Sequence, residues 1–455
     1  MSDSRTVNGN GAGSGEWDAV IVGASLAGCT AAIMLGRAGA RVALVDQRTE
    51  PSAFKRICSH YIQASAVATL ERLGLLEPIM RAGAVRSAGR IWTRFGGWIE
   101  PPPDSKVPAG VNLRREVLDP LMRDTAAQTP GVELLLGHTV QDLVREGDAV
   151  AGVVARAGGS AERRLRARLV IGADGRDSRV AKLAGVDTKT YPHGRFAYGG
   201  YFEGPAPAGA PDASLWFLDP DMAAAFPTDS ELTFYAVMPT KDRLNEFRAD
   251  PQRAVVETLA ALPDPPPIRE SRLVGSMQGK IDMTNVAHTV TAPGLALVGD
   301  AALATDPLWG VGCGWAFQTS EWLADSVTPA LLGHGSLERG LARYRRRHAR
   351  GLRGHAWMIH DYANGRKMTP VERLLFGRAA ESPALADVMG AFGTRCIGPA
   401  QMMARALPRS LALAARRSLR SRSTHGPRPA VGTAGAANGA PSPAGAAQSA
   451  SGEAR

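Results

Sequence analysis

The chain has 455 residues, of which 44% are hydrophobic and 21% charged, and its net charge is +10. This composition is typical of a globular protein, and the length is sufficient for two domains that share a large core. No uninterrupted apolar run is long enough to cross a bilayer, and residues 1–16 lack the apolar core of a signal peptide, so we predict a cytoplasmic protein.

The positive charge comes from 46 arginines and only 7 lysines. The arginines cluster at residues 339–353 and 405–420 and do not alternate with aromatic residues along a groove, so no nucleic-acid partner is predicted. Residues 399–420 form a basic amphipathic stretch that has two interpretations. It is either a solvated helical face or a helix that contacts an anionic membrane surface, which would make the protein peripheral on the membrane.

The four cysteines are Cys29, Cys58, Cys313 and Cys396. A zinc site or a disulfide framework needs closely spaced pairs, which are absent here, so we predict neither a metal site nor structural disulfides. We interpret Cys29 and Cys313 as small buried residues, with a reactive thiol as the alternative.

Residues 18–46 predict a strand, a tight turn, a helix and a second strand. Residues 19–22 are a short apolar run, residues 27–35 suit a helix packed closely on a sheet, and residues 41–45 form a second apolar run. The second run ends at Asp46, 18 residues after Gly28. A carboxylate at this place is able to accept hydrogen bonds from both ribose hydroxyls of a dinucleotide.

The turn itself has the spacing of a dinucleotide-binding loop. In such a loop the first glycine makes the turn, the second lets the backbone approach a pyrophosphate, and the third allows close helix packing. These positions are Gly23, Ser25 and Gly28, with Ala24 and Ala27 between them. Ser25 replaces the middle glycine, and its hydroxyl is able to donate to a phosphate. The helix N-terminus adds free N–H groups and a positive dipole end.

Further along the chain, helices are predicted over 66–75 and 116–128, and strands over 132–136, 149–155 and 169–171. From Tyr191 to Lys280 the pattern changes to short, alternating, aromatic-rich strands, which is typical of an antiparallel sheet. The segments predicted are a disordered lead (1–16), a nucleotide-binding domain in two parts (17–190 and 291–332), an inserted substrate-binding sheet (191–290), a helical region interrupted at Pro370 and Pro399 (333–420), and a disordered tail (421–455).

Two later segments carry further glycine motifs at predicted strand ends. Arg168–Ser178 reads RLVIGADGRDS, and Gly294–Trp322 reads GLALVGDAALATDPLWGVGCGWAFQTSEW. Each motif alone is compatible with an ordinary turn. In their order, and together with the first turn, they resemble the flavin hydroxylase family typified by para-hydroxybenzoate hydroxylase, over residues 18–332. The chain departs from the family where Leu303, Val311 and Gly314 stand.

The resemblance implies an α/β protein with a Rossmann-like FAD-binding domain, an inserted antiparallel β-sheet substrate domain and a C-terminal helical segment. It implies that Asp300 holds the ribityl chain and that N–H groups at the start of a helix face the flavin pyrimidine edge, where they stabilise the charge of reduced flavin. The cofactor-binding residues predicted are Gly23, Ala24, Ser25, Ala27, Gly28, Asp46, Arg48, Arg115, Val140, Asp174, Gly175, Gly299, Asp300, Pro307, Gly310, Val311 and Gly312.

The same resemblance implies the reaction. FAD accepts a hydride from NAD(P)H, reduces oxygen and transfers one oxygen atom to an electron-rich ring or alkene. We therefore predict a monooxygenase that hydroxylates or epoxidises a hydrophobic or aromatic small metabolite of secondary metabolism, free or tethered to a carrier protein. A second Gly-rich nucleotide-binding unit is not visible in the sequence, so NAD(P)H is expected to dock transiently. A separate flavin reductase is the alternative electron source.

Other functions on the same cofactor domain stay open. One is a reductase of the geranylgeranyl reductase type, although the flanking pattern of its signature is missing around residues 225–227. Another is a flavin-binding, non-redox protein that holds a polyene for cyclisation. A flavin halogenase is disfavoured because its Trp-x-Trp-x-Ile-Pro motif is missing and Trp92 and Trp98 are too far apart.

No residue is predicted to be catalytic, because oxygen transfer of this kind often needs no dedicated base. His60 and Tyr61 enter the region where family members approach the flavin ring and are candidates for the substrate pocket. Tyr198 and Tyr201 lie three apart on a predicted strand and should point to opposite faces, so at most one faces the ligand. Trp309 is a further pocket candidate.

Overall fold

The structure is a computed structural model that describes residues 17–424. Its strands are β1 (Trp17–Val22), β2 (Val42–Val45), β3 (Tyr61–Ile62), β4 (Val85–Ser87), β5 (Gly89–Thr93), β6 (Gly97–Ile99), β7 (Gly110–Asn112), β8 (Val132–Leu135), β9 (His138–Glu146), β10 (Ala149–Ala157), β11 (Arg163–Gly172), β12 (Thr188–Tyr191), β13 (Ala197–Glu203), β14 (Ala213–Phe217), β15 (Met222–Pro227), β16 (Leu232–Met238), β17 (Arg272–Lys280), β18 (Asn285–His288), β19 (Thr291–Ala292), β20 (Leu295–Leu297) and β21 (Leu303–Ala304).

The α-helices are α1 (Leu26–Arg37), α2 (Val67–Arg72), α3 (Leu76–Arg81), α4 (Arg115–Ala127), α5 (Arg179–Ala184), α6 (Leu244–Arg248), α7 (Pro251–Ala260), α8 (Gly312–Leu331), α9 (Leu337–Tyr362), α10 (Pro370–Ala380), α11 (Pro383–Gly393) and α12 (Pro399–Thr424). None of these helices is long and apolar enough to cross a membrane. The chain divides into two compact units after Leu411, and the sheets and cavities described below lie in the first.

The predicted parallel sheet is present and organises the nucleotide-binding part of the chain. Its strand order is β19-β20-β11-β1-β2-β8, and β10 and β9 extend from β11 as an antiparallel pair. β1 pairs in parallel with β2 and β11, and β11 pairs in parallel with β20. Because carboxyl ends of parallel strands meet at one edge, the residues that follow β1, β2, β11 and β20 are brought together there.

The turn after β1 is packed so closely that glycine is required. Gly23 has φ +105°, and a Cβ added there would lie 2.5 Å from the carbonyl oxygen of Ala173 at the end of β11. A Cβ added at Gly28 would overlap the carbonyl oxygen of Gly23. The first and last positions of the predicted loop are therefore fixed by backbone packing, as the sequence pattern indicates.

Helices α8 and α9 hold the segment around Gly299 close to the glycine turn that follows β1. α8 packs on α1, and the Ser320 hydroxyl donates to the Ala27 carbonyl oxygen at 2.8 Å. The Gly299 N–H donates to Thr319 Oγ1 at 2.9 Å, which ties the end of β20 to α8. α9 packs on α8, and the buried Tyr344 hydroxyl donates to the Leu297 carbonyl oxygen at 2.6 Å.

The second large sheet has the order β17-β13-β16-β15-β14-β5-β6. It contains the predicted aromatic-rich strands, and three strands that the sequence did not predict: β5, β6 and β15. β5 comes from far upstream and pairs in parallel with β14, with Ile91 opposite Leu215, so the sheet is mixed. The pairing has no local sequence signal because β5 is short and lies about 120 residues before β14.

The two faces of this sheet have different roles. One face packs on α6 and α7, and Tyr198 lies there against Phe247. The other face turns toward the first sheet, and Tyr201 lies there against His60 and Phe234. The prediction that the two tyrosines point to opposite faces is confirmed.

The C-terminal region is helical, as predicted. Pro370 and Pro399 are the first residues of α10 and α12 and so mark where helices begin. α12 continues to Thr424, four residues beyond the predicted helical region, and residues 1–16 and 425–455 lie outside the described part of the chain. The membrane contact predicted for residues 399–420 stays a prediction.

Buried histidines make this fold sensitive to acid. Burial lowers the pKa of His348 to about 4, and its Nε2 has no hydrogen-bond partner among the described residues. An unfolded histidine titrates near pH 6.5, so the unfolded chain binds this proton first as the pH falls. The neutral buried ring therefore costs no stability above about pH 6.5, and the folded state loses stability between that pH and pH 4.

In the wild type, the free energy of unfolding should fall as the pH is lowered from 6.5 to 4. We expect His348→Gln to reduce this slope by about 1.4 kcal/mol per pH unit. Urea unfolding at several pH values between 4 and 7 measures the slope. His334 is exposed, so His334→Gln is the matched control and should leave the slope unchanged. Equal slopes in the wild type and His348→Gln would contradict the assignment.

Candidate cofactor site

A cavity of about 790 Å³ opens at the edge of the parallel sheet where β1, β2, β11 and β20 end. Three of the predicted cofactor residues, Ala24, Gly28 and Gly299, do not line it and are buried behind its wall. The others all line it: Gly23, Ser25, Ala27, Asp46, Arg48, Arg115, Val140, Asp174, Gly175, Asp300, Pro307, Gly310, Val311 and Gly312. Their individual contacts with FAD stay a prediction.

Asp46 is held rigidly at the end of β2. One carboxylate oxygen accepts from the Ala24 N–H at 2.6 Å, and the other accepts from the Arg48 N–H at 2.8 Å. The Arg48 guanidinium lies 3.3 Å from the first oxygen. A carboxylate has about four acceptor positions, so lone pairs remain for the two hydroxyls of a ribose. The arrangement therefore fits the nucleotide end of FAD.

Arg115 is the first residue of α4 and contacts the turn after β1. Its guanidinium is buried, pairs with Asp119 at 2.7 Å and donates to the Ser25 hydroxyl at 2.7 Å. Burial is the largest influence and opposes the charge, but the Asp119 carboxylate and the two nearby cysteine sulfurs together outweigh burial and hold the pKa of Arg115 above its usual value. The Ser25 hydroxyl accepts this bond and keeps its own proton to donate. A fixed cation and a hydroxyl donor at a helix N-terminus suit a pyrophosphate.

Lys55 is a cavity residue that the sequence did not reveal. Its Nζ lies 3.0 Å from Asp300 Oδ2. Burial works to raise the pKa of Asp300, but the positive charges of Lys55, Arg176 and Arg115 together outweigh burial and lower it, so Asp300 is ionised. Lys55 lies in a loop without a motif, 245 residues before Asp300, so only the fold identifies it. If Asp300 binds the ribityl chain of FAD, as predicted, its carboxylate must either bind Lys55 and the ribityl chain together or release Lys55.

The N-terminus of α8 faces the cavity. Gly312 is the first residue of this 20-residue helix, and the Trp315 N–H is bonded to the Val311 carbonyl oxygen. The N–H groups of the first turn, before Trp315, have no place in the helical hydrogen-bond ladder. Gly310 has φ +60°, which lets the chain turn sharply into the helix. The positive helix end therefore faces the cavity, and its contact with the flavin pyrimidine edge stays a prediction.

A second cavity adjoins the first, and Gly310 lines both. Its walls are mainly apolar and come from the mixed sheet, from β3, from the Pro307–Trp309 turn and from α11. Two predicted pocket candidates, Tyr61 and Trp309, line it. Its described lining residues are Tyr61, Gln63, Gly89, Ile91, Ala213, Leu215, Phe217, Phe226, Trp309, Gly310, Met389, Gly390, Gly393 and Thr394.

His60 and Tyr201, two further candidates, form a hydrogen-bonded pair that lines neither cavity. The Arg115 N–H donates to His60 Nδ1 at 3.0 Å, so in the neutral ring Nε2 carries the proton and donates to the Tyr201 hydroxyl oxygen. Burial lowers the pKa of His60 to about 4, which keeps it neutral. Burial also raises the pKa of Tyr201 above its usual value. The pair is a neutral support for the loop next to Arg115.

We expect Asp46→Ala to weaken FAD binding by about 10-fold or more, because charge-assisted hydrogen bonds to ribose are lost. Asp177→Ala is the matched control: Asp177 also lines the cavity but is exposed and does not end a strand. Flavin fluorescence titration of the two apoproteins measures both dissociation constants, with circular dichroism to show that each is folded. Equal dissociation constants would contradict the role of Asp46.

A second prediction concerns the start of α8. A Cβ added at Gly312 would meet only Asp300 Oδ1, at 3.8 Å, so the protein itself tolerates a side chain there. Gly312→Leu should therefore fold normally but fill the cavity and lose most of its FAD. Gly393→Leu, which fills the second cavity instead, should keep FAD and serves as the control. A purified Gly312→Leu protein with full flavin absorbance would show that α8 begins elsewhere relative to the flavin.

Comparison with curated proteins gives matches among flavoenzymes. The chain is 34% identical to 6-methylpretetramide 4-monooxygenase of Streptomyces rimosus over 175 residues, which cover 37% of this chain and 41% of that protein. It is 27% identical to the digeranylgeranylglycerophospholipid reductase of Methanothrix thermoacetophila over 342 residues, 72% of this chain and 82% of that protein. The match to the monooxygenase thus spans less than half of its length.

Solved structures share the fold. A flavin-dependent brominase superimposes with a TM-score of 0.73 at 18% identity, covering 89% of this chain and 100% of the brominase. The p-nitrophenol 4-monooxygenase of Pseudomonas putida superimposes with a TM-score of 0.69 at 21% identity, covering 84% of this chain and 99% of the monooxygenase.

The model of the FAD binding domain family matches residues 16–354. The family match, which covers most of the chain, establishes that the chain belongs to the FAD binding domain family.

Proposed function

We propose that this protein is a monooxygenase that hydroxylates or epoxidises a hydrophobic, largely aromatic small molecule. The observation that supports this most directly is the apolar cavity that adjoins the cofactor cavity at Gly310. A substrate held there lies next to the place of the flavin ring, which oxygen transfer requires.

The hydrogen-bonding groups of the apolar cavity favour an apolar ligand. The Tyr61 hydroxyl donates to the Ser87 carbonyl oxygen at 3.1 Å, and the Thr394 hydroxyl donates to the Gly390 carbonyl oxygen at 2.9 Å. The Gln63 side-chain amide donates to the Trp309 carbonyl oxygen at 2.7 Å. These groups are already paired within the protein, so a sugar or an amino acid would bury polar groups without partners.

One donor in this wall has no partner. The Nε1–H of Trp309 is buried without a hydrogen-bond acceptor among the described residues. This nitrogen has almost no accessible surface, so a substrate oxygen would reach it only after the Trp309 ring turned. By the measure that gives about 790 Å³ for the cofactor cavity, this cavity has about 50 Å³. It therefore suits a small apolar group, and a larger ring system would need its walls to move apart.

When bound, FAD supplies the electron transfer and the activation of oxygen, and the protein supplies the surroundings. The α8 N-terminus offers N–H groups and a positive dipole end where negative charge develops on the reduced cofactor. The apolar walls exclude water from the reacting atoms. Among the lining residues only Tyr61 is ionisable, and burial raises its pKa above the usual value, so it stays protonated. The described residues thus place no general base in this cavity.

A reductase of the geranylgeranyl type is the second candidate. The match to the digeranylgeranylglycerophospholipid reductase covers 72% of this chain, about twice the share matched by the monooxygenase relative. An apolar cavity also suits an isoprenoid chain. The two functions differ in what happens to the electrons, because a monooxygenase passes them to oxygen and a reductase passes them to a carbon–carbon double bond.

Stopped-flow absorbance separates the candidates. The FAD-loaded protein is reduced anaerobically with NADPH and then mixed with oxygen. A resolved transient absorbance before the oxidised flavin spectrum returns is expected for the monooxygenase. Return of the oxidised flavin spectrum without a transient, together with hydrogenation of geranylgeraniol by the reduced protein in the absence of oxygen, would support the reductase. Reduction by dithionite but not by NADPH or NADH would indicate a separate flavin reductase.

The substrate cavity is tested by filling it. Gly393 lines this cavity, and a Cβ added there has no heavy atom within 4 Å, so we expect Gly393→Leu to fold and to occupy the space. Binding of 2-naphthol, followed by the change in flavin absorbance, should weaken about 10-fold or more, as expected for steric exclusion. Gly398→Leu is the control, since Gly398 is equally open but lies outside the cavity. Equal binding by both variants would exclude this cavity as the aromatic site.

A further inference from the structure

Two cysteines that are distant in sequence meet at the wall of the cofactor cavity. The Sγ atoms of Cys58 and Cys313 lie 3.5 Å apart, although 255 residues separate them. Both residues line the cofactor cavity. Cys313 is buried, as the sequence analysis predicted, but it is not an isolated core residue, because its thiol contacts a second thiol.

The surroundings make the two thiols unequal. The His60 N–H donates to Cys58 Sγ at 3.2 Å, and Arg115 Nη1 lies 3.8 Å from the same sulfur. The hydrogen bond from Cys313, with the nearby positive charges of Arg115 and Lys55, holds the pKa of Cys58 well below its usual value. The same hydrogen bond and burial raise the pKa of Cys313. Cys58 is therefore the nucleophilic thiolate and Cys313 the protonated partner.

The geometry allows the pair to close. A disulfide needs a sulfur–sulfur distance of about 2.05 Å, so the two atoms must approach by about 1.5 Å, which is within the reach of side-chain rotation. The pair borders an open cavity, so a small oxidant has access to it. Cys58 lies in the loop after β2, and Cys313 is the second residue of α8.

We propose that Cys58 and Cys313 are a peroxide-reactive dithiol whose disulfide joins two walls of the cofactor cavity. The Cys58 thiolate attacks one oxygen of hydrogen peroxide, the O–O bond breaks, and a sulfenic acid and hydroxide form. Cys313 sulfur then attacks the Cys58 sulfur, the S–O bond breaks, and the departing hydroxyl takes the remaining proton as water. In sum, two thiols and one peroxide give one disulfide and two waters.

The oxidant is a product of flavin chemistry. Reduced flavin that reacts with oxygen in the absence of substrate releases hydrogen peroxide inside the cavity where the pair lies. This source of peroxide rests on the proposed function, whereas the reactivity of the pair does not. The disulfide would link the loop after β2 to α8, whereas the Lys55–Asp300 ion pair links the same loop to the turn after β20. The additional covalent link would slow the release of FAD.

The other two cysteines are internal controls. Cys29 is fully buried in α1, and burial raises its pKa far above the usual value. Cys396 is exposed and so is the most accessible thiol to an oxidant from solution. Accessibility alone predicts oxidation of Cys396, whereas the geometry predicts oxidation of the less exposed Cys58–Cys313 pair.

The experiment uses the FAD-loaded protein with a small excess of hydrogen peroxide, followed by alkylation of free thiols, intact mass measurement and peptide mapping. We expect the loss of two hydrogen atoms, a linked peptide that contains Cys58 and Cys313, and alkylatable Cys29 and Cys396 after denaturation. Cys313→Ser should stop at a Cys58 sulfenic acid that dimedone traps, Cys58→Ser should form neither product, and Cys396→Ser should behave like the wild type. Oxidation of Cys396 ahead of the pair would overturn the proposal.

The consequence for the cofactor is measured separately. The rate of FAD release on dilution into apoflavodoxin is compared for the oxidised and dithiothreitol-reduced forms of the wild type and of Cys396→Ser. A severalfold slower release from the oxidised forms is expected, and Cys313→Ser should show no difference. Equal rates in the wild type would show that the disulfide does not hold the cavity walls. Because peroxide is added, these results do not depend on whether stopped-flow measurements support the monooxygenase.

Discussion

The close contact of backbone segments around Gly23 is the constraint on which the cofactor cavity depends. Gly23 lies directly against the Ala173 carbonyl group, and Gly28 lies against the Gly23 carbonyl oxygen. Any side chain at either glycine would push β1, α1 and β11 apart, and with them the two walls that carry Ser25 and Asp174. The cavity exists because three backbone segments approach more closely than side chains allow.

The charges around the cavity are arranged in pairs, of which Arg115–Asp119 is buried and Lys55–Asp300 is partly exposed. Arg115 is neutralised by Asp119, and Lys55 by Asp300, while Asp46 is satisfied by backbone N–H groups. Charges buried without partners would be costly, whereas paired charges hold their positions before a ligand arrives. The second cavity has the opposite character, since its polar groups bond to the protein itself. The two adjoining cavities thus differ in chemistry, and the proposed separation of a charged cofactor from an apolar substrate rests on this difference.

The sequence predicted the parts of this structure that short-range rules determine. The glycine turn, Asp46 at a strand end and the start of α8 follow from local patterns, and so do the aromatic strands of the mixed sheet. Lys55 and the Cys58–Cys313 pair were missed because their partners lie 245 and 255 residues away and no motif marks them. The parallel pairing of β5 with β14 was missed for the same reason. Long-range contacts between unremarkable residues need the folded chain.

One short segment, residues 55–63, borders both cavities and connects the cofactor cavity to the apolar cavity. Lys55 and Cys58 face the cofactor cavity, whereas Tyr61 and Gln63 line the apolar cavity. Between them His60 has φ +61°, and its ring bridges the Arg115 N–H and the Tyr201 hydroxyl. A non-glycine residue in this conformation persists only when its neighbours fix it. Movement of the segment at Cys58 would therefore be transmitted through His60 to the wall of the apolar cavity. A ligand in one cavity should then change the affinity of the other cavity for its ligand.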